Sequence, residues 1–387
     1  MNSLELFAGV GGLGMGVTKA GFEQKIAVEI DTKCCLSLER NIEDKLEFVK
    51  DWNLYNIAVQ DVDFSIYEDS IDLLSGGPPC QPFSLGGKHN AFLDKRDMFP
   101  EAVRAVREIK PKSFIFENVK GLTRDKFSNY FEYIRLQLCY PQIEINEKEL
   151  PHDHFQRLEK HHTYGVSSEL SYRVVAKVLN AADFGVPQKR ERVFIVGFRN
   201  DLGCCWSFPN QTHSQAALIK RKLNGEYWEK NNVSKINRLE PWLGNRWKYY
   251  DWDMVDTLPW ATVREVVNKY PCPTLGDSNF FNHEYRKGAR AYKGHTGSLL
   301  DEPSKTLKAG IHGVPGGENM FVNDNNSLRY FTIRECAALQ SFPDEFVFYG
   351  SWSDSVRQVG NAVPVDLAYL LAKSIRCSLE ISKIGKI

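Results

Sequence analysis

Short apolar runs alternate with amphipathic stretches through the first half of the chain. Residues 4–7, 26–28, 71–74, 114–116, 173–179 and 192–198 are apolar runs too short for helices and read as strands. Several segments between them have helical length, and residues 100–109 repeat apolar positions at helical spacing. Strand–helix alternation predicts an α/β fold, a doubly wound, mostly parallel sheet of Rossmann-like type. A polar, His-rich stretch at 140–170, with His152, His154, His161 and His162, interrupts this pattern and reads as a solvated loop. Its H-x-H and HH pairs are too weak to predict a metal site, and none is assigned. The texture changes after residue 199. Gly, Pro, Asn and Asp become frequent, and six of the eight tryptophans fall between residues 200 and 330. From residue 328 order returns, with helical patterns opening FTIRECAALQSFPDEF and running through VPVDLAYLLAKSIRCSLEI. Two domains are expected: 1–199 joined to 328–387, and a smaller irregular domain, 200–327, inserted between.

Composition narrows the classes. The 387 residues are 42% hydrophobic and 25% charged, as in ordinary globular chains. Lys plus Arg and Asp plus Glu both number 49, so a nucleic-acid partner would need a local basic patch. Nine cysteines, an odd number with no C-x-x-C pair, argue against a disulfide framework or a zinc site and fit a reducing cytoplasm. The start, MNSLELFAGV, lacks the charge and apolar run of a signal peptide, and no apolar run is long enough for a membrane span.

LELFAGVGGLGMG directly follows the first expected strand. Gly9, Gly11 and Gly14 match G-x-G-x-x-G, and Glu29 lies beyond the next strand, where an acidic side chain can bind ribose hydroxyls. The pattern predicts a nucleotide-like cofactor without distinguishing a nicotinamide dinucleotide from S-adenosylmethionine. Asp61 suits either an adenine amino group or a turn cap.

GGPPCQPFS, residues 76–84, holds Cys80 among prolines that fix φ, at the end of the strand IDLLS. Open α/β sheets bind ligands at such carboxyl ends. A nucleophile needs an acid or base nearby, and the next strand, SFIFENV, carries Glu117. Burial at that rim would raise its pKa and suit it to donate a proton. In QKRERVF, Arg190 and Arg192 alternate with Glu191, so both are expected on one side, where they could orient a polar substrate.

These blocks, with RECAALQSFP (334–343) and QVGNAVP (358–364), occur in the order and spacing of DNA (cytosine-5) methyltransferases of the bacterial restriction-modification type, which the chain resembles over about 1–200 and 328–387. The resemblance implies that Cys80 attacks C6 of a flipped-out cytosine, that Glu117 engages N3, and that C5 takes a methyl group from S-adenosylmethionine. It implies that Arg192 holds the base near O2 and that Arg190 supports the loop or phosphates. Phe7, Gly9 and Gly11 would carry the cofactor, with Glu29 at ribose, Asp61 at adenine, Pro79 lining the pocket, and Asn361 and Val363 at the methionine end. Residues 85–97 suit a lid over double-stranded DNA.

The same resemblance puts target recognition in 200–327. RKGARAYKGH offers Arg286, Lys287, Arg290 and Lys293 as DNA contacts, and SKTLKAG offers Lys305 and Lys308. The tryptophans there, Trp242, Trp247 and Trp252 among them, are expected to pack a small core. A monomeric, cytoplasmic enzyme of prokaryotic style is expected, functionally paired with a restriction endonuclease or acting alone. Three readings compete: the same chemistry on transfer RNA, a catalytically silent DNA-binding protein, and a nicotinamide-dependent oxidoreductase that would leave PPCQ, ENV and QKRER without a role. The recognised sequence is not readable from the chain.

Overall fold

The computed structural model describes residues 1–79, 97–165, 170–238, 252, 255–275, 279–293, 296–310 and 319–384. The chain forms two compact units. The first comprises Met1–Leu179, Glu191–Pro209 and Ala368–Ile387, and the second Asn180–Arg190 and Asn210–Leu367.

The strands in chain order are β1 (Asn2–Leu6), β2 (Glu23–Val28), β3 (Leu54–Tyr55), β4 (Leu73–Gly76), β5 (Ser113–Val119), β6 (Tyr172–Asn180), β7 (Gln188–Lys189) and β8 (Glu191–Arg199). Seven of them build the sheet of the first unit in the order β3-β2-β1-β4-β5-β8-β6. β1 is parallel to β2 and β4, β2 to β3, and β4 to β5, whereas β8 is antiparallel to β5. This is the expected doubly wound sheet. After β3 the chain returns to the other side of β1, so the carboxyl ends of β1 and β4 flank the switch point where such sheets bind ligands. Phe114, Ile115 and Phe116 on β5 are fully buried, the unbroken apolar run of a strand covered on both faces.

Helices α1 (Gly12–Lys19), α2 (Thr32–Glu43), α3 (Phe99–Ile109), α4 (Ser128–Cys139) and α5 (Pro151–Tyr164) belong to this unit. In α3, Ala102, Val103, Ala105, Val106 and Ile109 give the buried stripe, and Pro100 fits the first turn. The His-rich stretch departs from expectation. Residues 151–164 form a helix rather than a solvated loop. Leu158 is buried with Tyr133 and Leu136 of α4, and Phe155 packs beside them. His154 is buried too, 2.8 Å from the Tyr133 hydroxyl and 2.7 Å from the Ile143 carbonyl. A histidine satisfied in this way counts as apolar for periodicity, which a hydropathy reading misses.

The second unit holds α6 (Gln215–Leu223), α7 (Glu226–Lys230), α8 (Val263–Val267), α9 (Ile333–Leu339), α10 (Trp352–Asn361) and the start of α11 (Val365–Ile384). Its strands are short: β9 (His213–Ser214), β10 (Leu258–Pro259), β11 (Ser298–Leu299), β12 (Ser304–Lys305), β13 (Met320–Val322) and β14 (Leu328–Tyr330). Leu218, Tyr227, Trp228 and Val233 form a small core with Trp260 against it, and Trp252 packs on Ala216 and Ile219. Trp242 and Trp247 lie outside the described residues. Arg264, buried, is clamped by Asp301 and Asp324 at 2.6 Å each. The unit boundaries differ from the sequence division. Residues 328–367 go with the second unit because β14 pairs antiparallel with β13, and residues 180–190 join it through β7, which pairs with β12. Among the described residues no helix is long and apolar enough to cross a membrane.

Candidate active site

The site grows from the ends of β1, β4 and β5. After β1 the chain turns sharply: Phe7, Gly9 and Gly11 all have positive φ, at 54°, 56° and 77°. A phenylalanine in this region is strained, and such strain gathers at ligand-binding turns. The glycines play different parts. A Cβ on Gly9 would meet nothing within 4 Å, so that backbone faces open space. A Cβ on Gly11 would come within 2.8 Å of the Trp52 ring, so this glycine serves close packing. Gly14 is likewise closed by Trp52 and Glu5. Trp52 is anchored by its indole N–H, which donates to the Thr18 hydroxyl at 3.1 Å.

Two carboxyls hold this turn. Glu29 accepts from Gly9 N–H at 2.6 Å and from Asp31 N–H at 2.7 Å. Burial raises its pKa above the ordinary carboxyl value, against those two hydrogen bonds. Glu5, on β1, accepts from Gly14 N–H at 2.9 Å, while its second oxygen is buried without a partner. Burial pushes its pKa up to about 8. Glu5 was not singled out by sequence; an acidic residue inside the apolar strand LELF is the signal that could have found it. Asp61 is exposed in a 3-10 turn, Val59–Asp61, and Pro79 is exposed beyond β4. Phe7 packs against the core beneath. The strained turn, the open face at Gly9 and the buried acid at Glu29 fit an adenosyl cofactor.

Gly76 closes β4, and a Cβ there would stand 2.8 Å from the Leu6 carbonyl oxygen, so only glycine lets β4 lie this close to β1. Cys80 lies outside the described residues, as do residues 85–96 of the proposed lid. The described residues just before Cys80 are held in place. Asn118 donates through Nδ2 to the Pro78 carbonyl at 2.9 Å, and both residues are buried. Glu117, one residue earlier, is 9% exposed, and its carboxyl faces Gly77, from which a Cβ would lie 3.6 Å from Oε2. Arg192 on β8 brings Nε to 2.9 Å from Glu117 Oε1, a charge contact without hydrogen-bond alignment. The pairing Val119↔Arg192 in the antiparallel β5–β8 ladder sets this meeting. Sequence reading noted ENV but gave Asn118 no role.

The two arginines do not act as a pair. Arg190 is buried in the second unit, where Nη1 donates to the Gly360 carbonyl at 3.1 Å. It is a support inside the QVGNAVP packing, which fits the loop role and not a phosphate contact. Asn361, exposed, and Val363, buried, follow in the same unit. Arg286, Lys287, Arg290 and Lys293 are exposed. Arg286 lies over the Trp352 ring at 4.3 Å and Arg290 over Tyr292 at 5.1 Å. Lys308 is exposed, while Lys305 is half-buried with Nζ 2.9 Å from the Thr296 hydroxyl.

The family profile described as C-5 cytosine-specific DNA methylase matches residues 1–139 and 151–377. The Type II methyltransferase M.Eco47II of Escherichia coli is 32% identical over 99% of this chain and 80% of its own length. The Type II methyltransferase M.FnuDI of Fusobacterium nucleatum is 31% identical over 98% of this chain and 95% of its own. Among solved structures, the Entamoeba histolytica methyltransferase EhMeth superposes with a TM-score of 0.56 at 14% identity, covering 98% of both chains. The profile and the Type II relatives establish that the chain belongs to the C-5 cytosine-specific DNA methylase family and is a DNA cytosine-5 methyltransferase.

Proposed function

We propose that the protein methylates C5 of a cytosine flipped out of a specific duplex DNA sequence, through a covalent bond between Cys80 and C6. The observation that carries this reading is the junction at the ends of β4 and β5. Asn118 holds the Pro78 carbonyl, two residues before Cys80, and Glu117 stands beside Gly77 with Arg192 against its carboxyl.

C6 of cytosine is a poor electrophile, so the thiolate must be held at attack distance while N3 is engaged. Glu117, in its acid form, donates to N3 as the sulfur adds, and Arg192, which stands against that carboxyl group, donates to O2. S-adenosylmethionine supplies the methyl group, held by Phe7, Gly9, Gly11, Glu29, Asp61 and Pro79, with Asn361 and Val363 at its methionine end. Water then takes the C5 proton, the C–H electrons form the C5–C6 double bond and expel Cys80 as thiolate, and N3 returns its proton to Glu117. Flipping the base costs a few kcal/mol, offset by contacts in the pocket and at the vacated site. Residues 200–327 carry target recognition, with Arg286, Lys287, Arg290, Lys293, Lys305 and Lys308 as DNA contacts. The exposure of the first four supports this. The enzyme is read as a cytoplasmic monomer, functionally paired with a restriction endonuclease or acting alone.

Bisulfite sequencing of plasmid DNA tests the reading, in a host lacking cytosine-5 methylation that expresses this chain or its Cys80→Ala variant. Protected cytosines within one recurring short sequence, absent with the variant, are expected. Protection that persists with Cys80→Ala would remove the covalent step.

A further inference from the structure

The turn that carries Asp61 is held on its buried side by the side chain of Arg104. Arg104, in the middle of α3, donates through Nη2 to the Val59 carbonyl at 2.8 Å and through Nη1 to the Val62 carbonyl at 3.2 Å. These carbonyls bracket Asp61. The guanidinium lies 4.7 Å from the centre of the Phe64 ring, which is fully buried. Its orientation is set from its own helix, by Glu101 at 2.8 Å on Nε and Glu108 at 3.0 Å on Nη1. Val59 and Val62 are buried while Asp61 is exposed, so the fork grips the inner side of the turn and leaves the carboxylate outward. The same helix is tied to the other end of the site, since Met98 N–H, at its N-cap, donates to the Pro79 carbonyl at 3.1 Å. Gln60 reaches back to Met98, Nε2 to Sδ, at 3.2 Å.

A carboxylate that recognises an exocyclic amino group must be held at a fixed distance and angle. A two-residue carbonyl clamp by a planar fork achieves this where a lysine could not, because lysine is a point charge on a flexible stem. We propose that Arg104 is a positioning residue for the adenine end of the cofactor, setting the Val59–Val62 turn so that Asp61 meets the 6-amino group. This rests on the reading of Asp61 as the adenine-binding residue.

The test measures binding of S-adenosylhomocysteine, and of its analogue with hydrogen in place of the 6-amino group, by calorimetry. It uses the wild-type chain, Arg104→Lys, Asp61→Ala and the double variant. Arg104→Lys is expected to weaken S-adenosylhomocysteine about tenfold, the scale of one or two misaligned hydrogen bonds, and to leave the analogue unchanged. In the Asp61→Ala background the lysine substitution should then add little. Equal weakening of both compounds, or additive losses, would make Arg104 a structural residue and overturn the proposal. An Asp61→Ala variant that binds S-adenosylhomocysteine normally would instead sink the Asp61 reading itself. Glu101→Gln, which keeps the arginine and loosens only its orientation, should show the same selectivity at smaller amplitude. It replaces Arg104→Lys should that variant not fold.

Discussion

Nε of Arg192 stands 2.9 Å from Oε1 of Glu117, with both side chains nearly buried. The two groups on adjacent antiparallel strands are thus oriented by each other before any substrate arrives. Glu117→Gln removes the acid but keeps the shape, and should lower single-turnover methylation by about 10²-fold, the usual scale for a general acid. Arg192→Lys keeps the charge and loses the second donor, and should fall between the two. Neither should change the affinity for S-adenosylhomocysteine. A full rate for Glu117→Gln in rapid quench would exclude it as the proton donor.

Asn118 should matter as much to geometry as to stability. Its loss leaves the buried Pro78 carbonyl without a partner, which costs about 1–3 kcal/mol. Asn118→Ala is therefore expected to lower the urea midpoint and to reduce kcat at saturating cofactor. A variant with lower stability and wild-type kcat would separate the two effects and deny the bond a role in catalysis.

Gly360 is a further sensitive point. A methyl group there would come within 2.6 Å of the Ala309 nitrogen and 2.7 Å of the Lys308 carbonyl carbon, both backbone. Backbone cannot swing aside, so Gly360→Ala should destabilise by about 1–3 kcal/mol despite the helix propensity it gains, about 1 kcal/mol. The Arg190 bond to the Gly360 carbonyl would shift with it. Urea unfolding checks this, and an unchanged or raised midpoint would contradict the packing described.

Glu5 predicts a pH dependence. Its carboxyl is raised from 4.5 to about 8 by burial, with Glu29 adding repulsion and Gly14 N–H opposing. Between those values the folded chain holds a proton that the unfolded chain has released. The stability from this group is therefore complete below about pH 4.5 and is lost as pH rises toward about 8. Glu5→Gln should flatten that part of the stability profile. Urea midpoints measured across the interval would show it; an identical slope in both proteins would mean the carboxyl is not protonated there.

Much of the fold was readable because a doubly wound sheet writes its strands as short apolar runs. All the expected strands in the first half are present, with ends shifted by a few residues at most. The positions of Gly9, Glu29, Glu117 and Arg192 followed from where those strands end. What stayed hidden lies in long-range pairing. Arg104 sits on a helix face with Glu101 and Glu108 and reads as a solvated charge cluster, since nothing local says that two carbonyls from residues 59 and 62 come to meet it. Arg190 and Arg192 look equivalent in QKRER, yet one is buried on Gly360 and the other faces Glu117, because the chain leaves one unit for the other between them. His154 hid a helix, since burial made a polar residue part of the core.

The β13–β14 hairpin bears on how specificity could be exchanged between related enzymes. Residues 320–322 pair with 328–330, and the compact unit continues to Leu367. A cassette cut at residue 327 would separate the two halves of that hairpin and leave β13 paired to a foreign β14. An exchange would keep this unit whole if the donor fragment carried residues 180–190 together with 210–367, α9 and α10 included. Chimeras joined at the shorter boundary are expected to unfold at lower urea than chimeras that keep the β13–β14 hairpin whole.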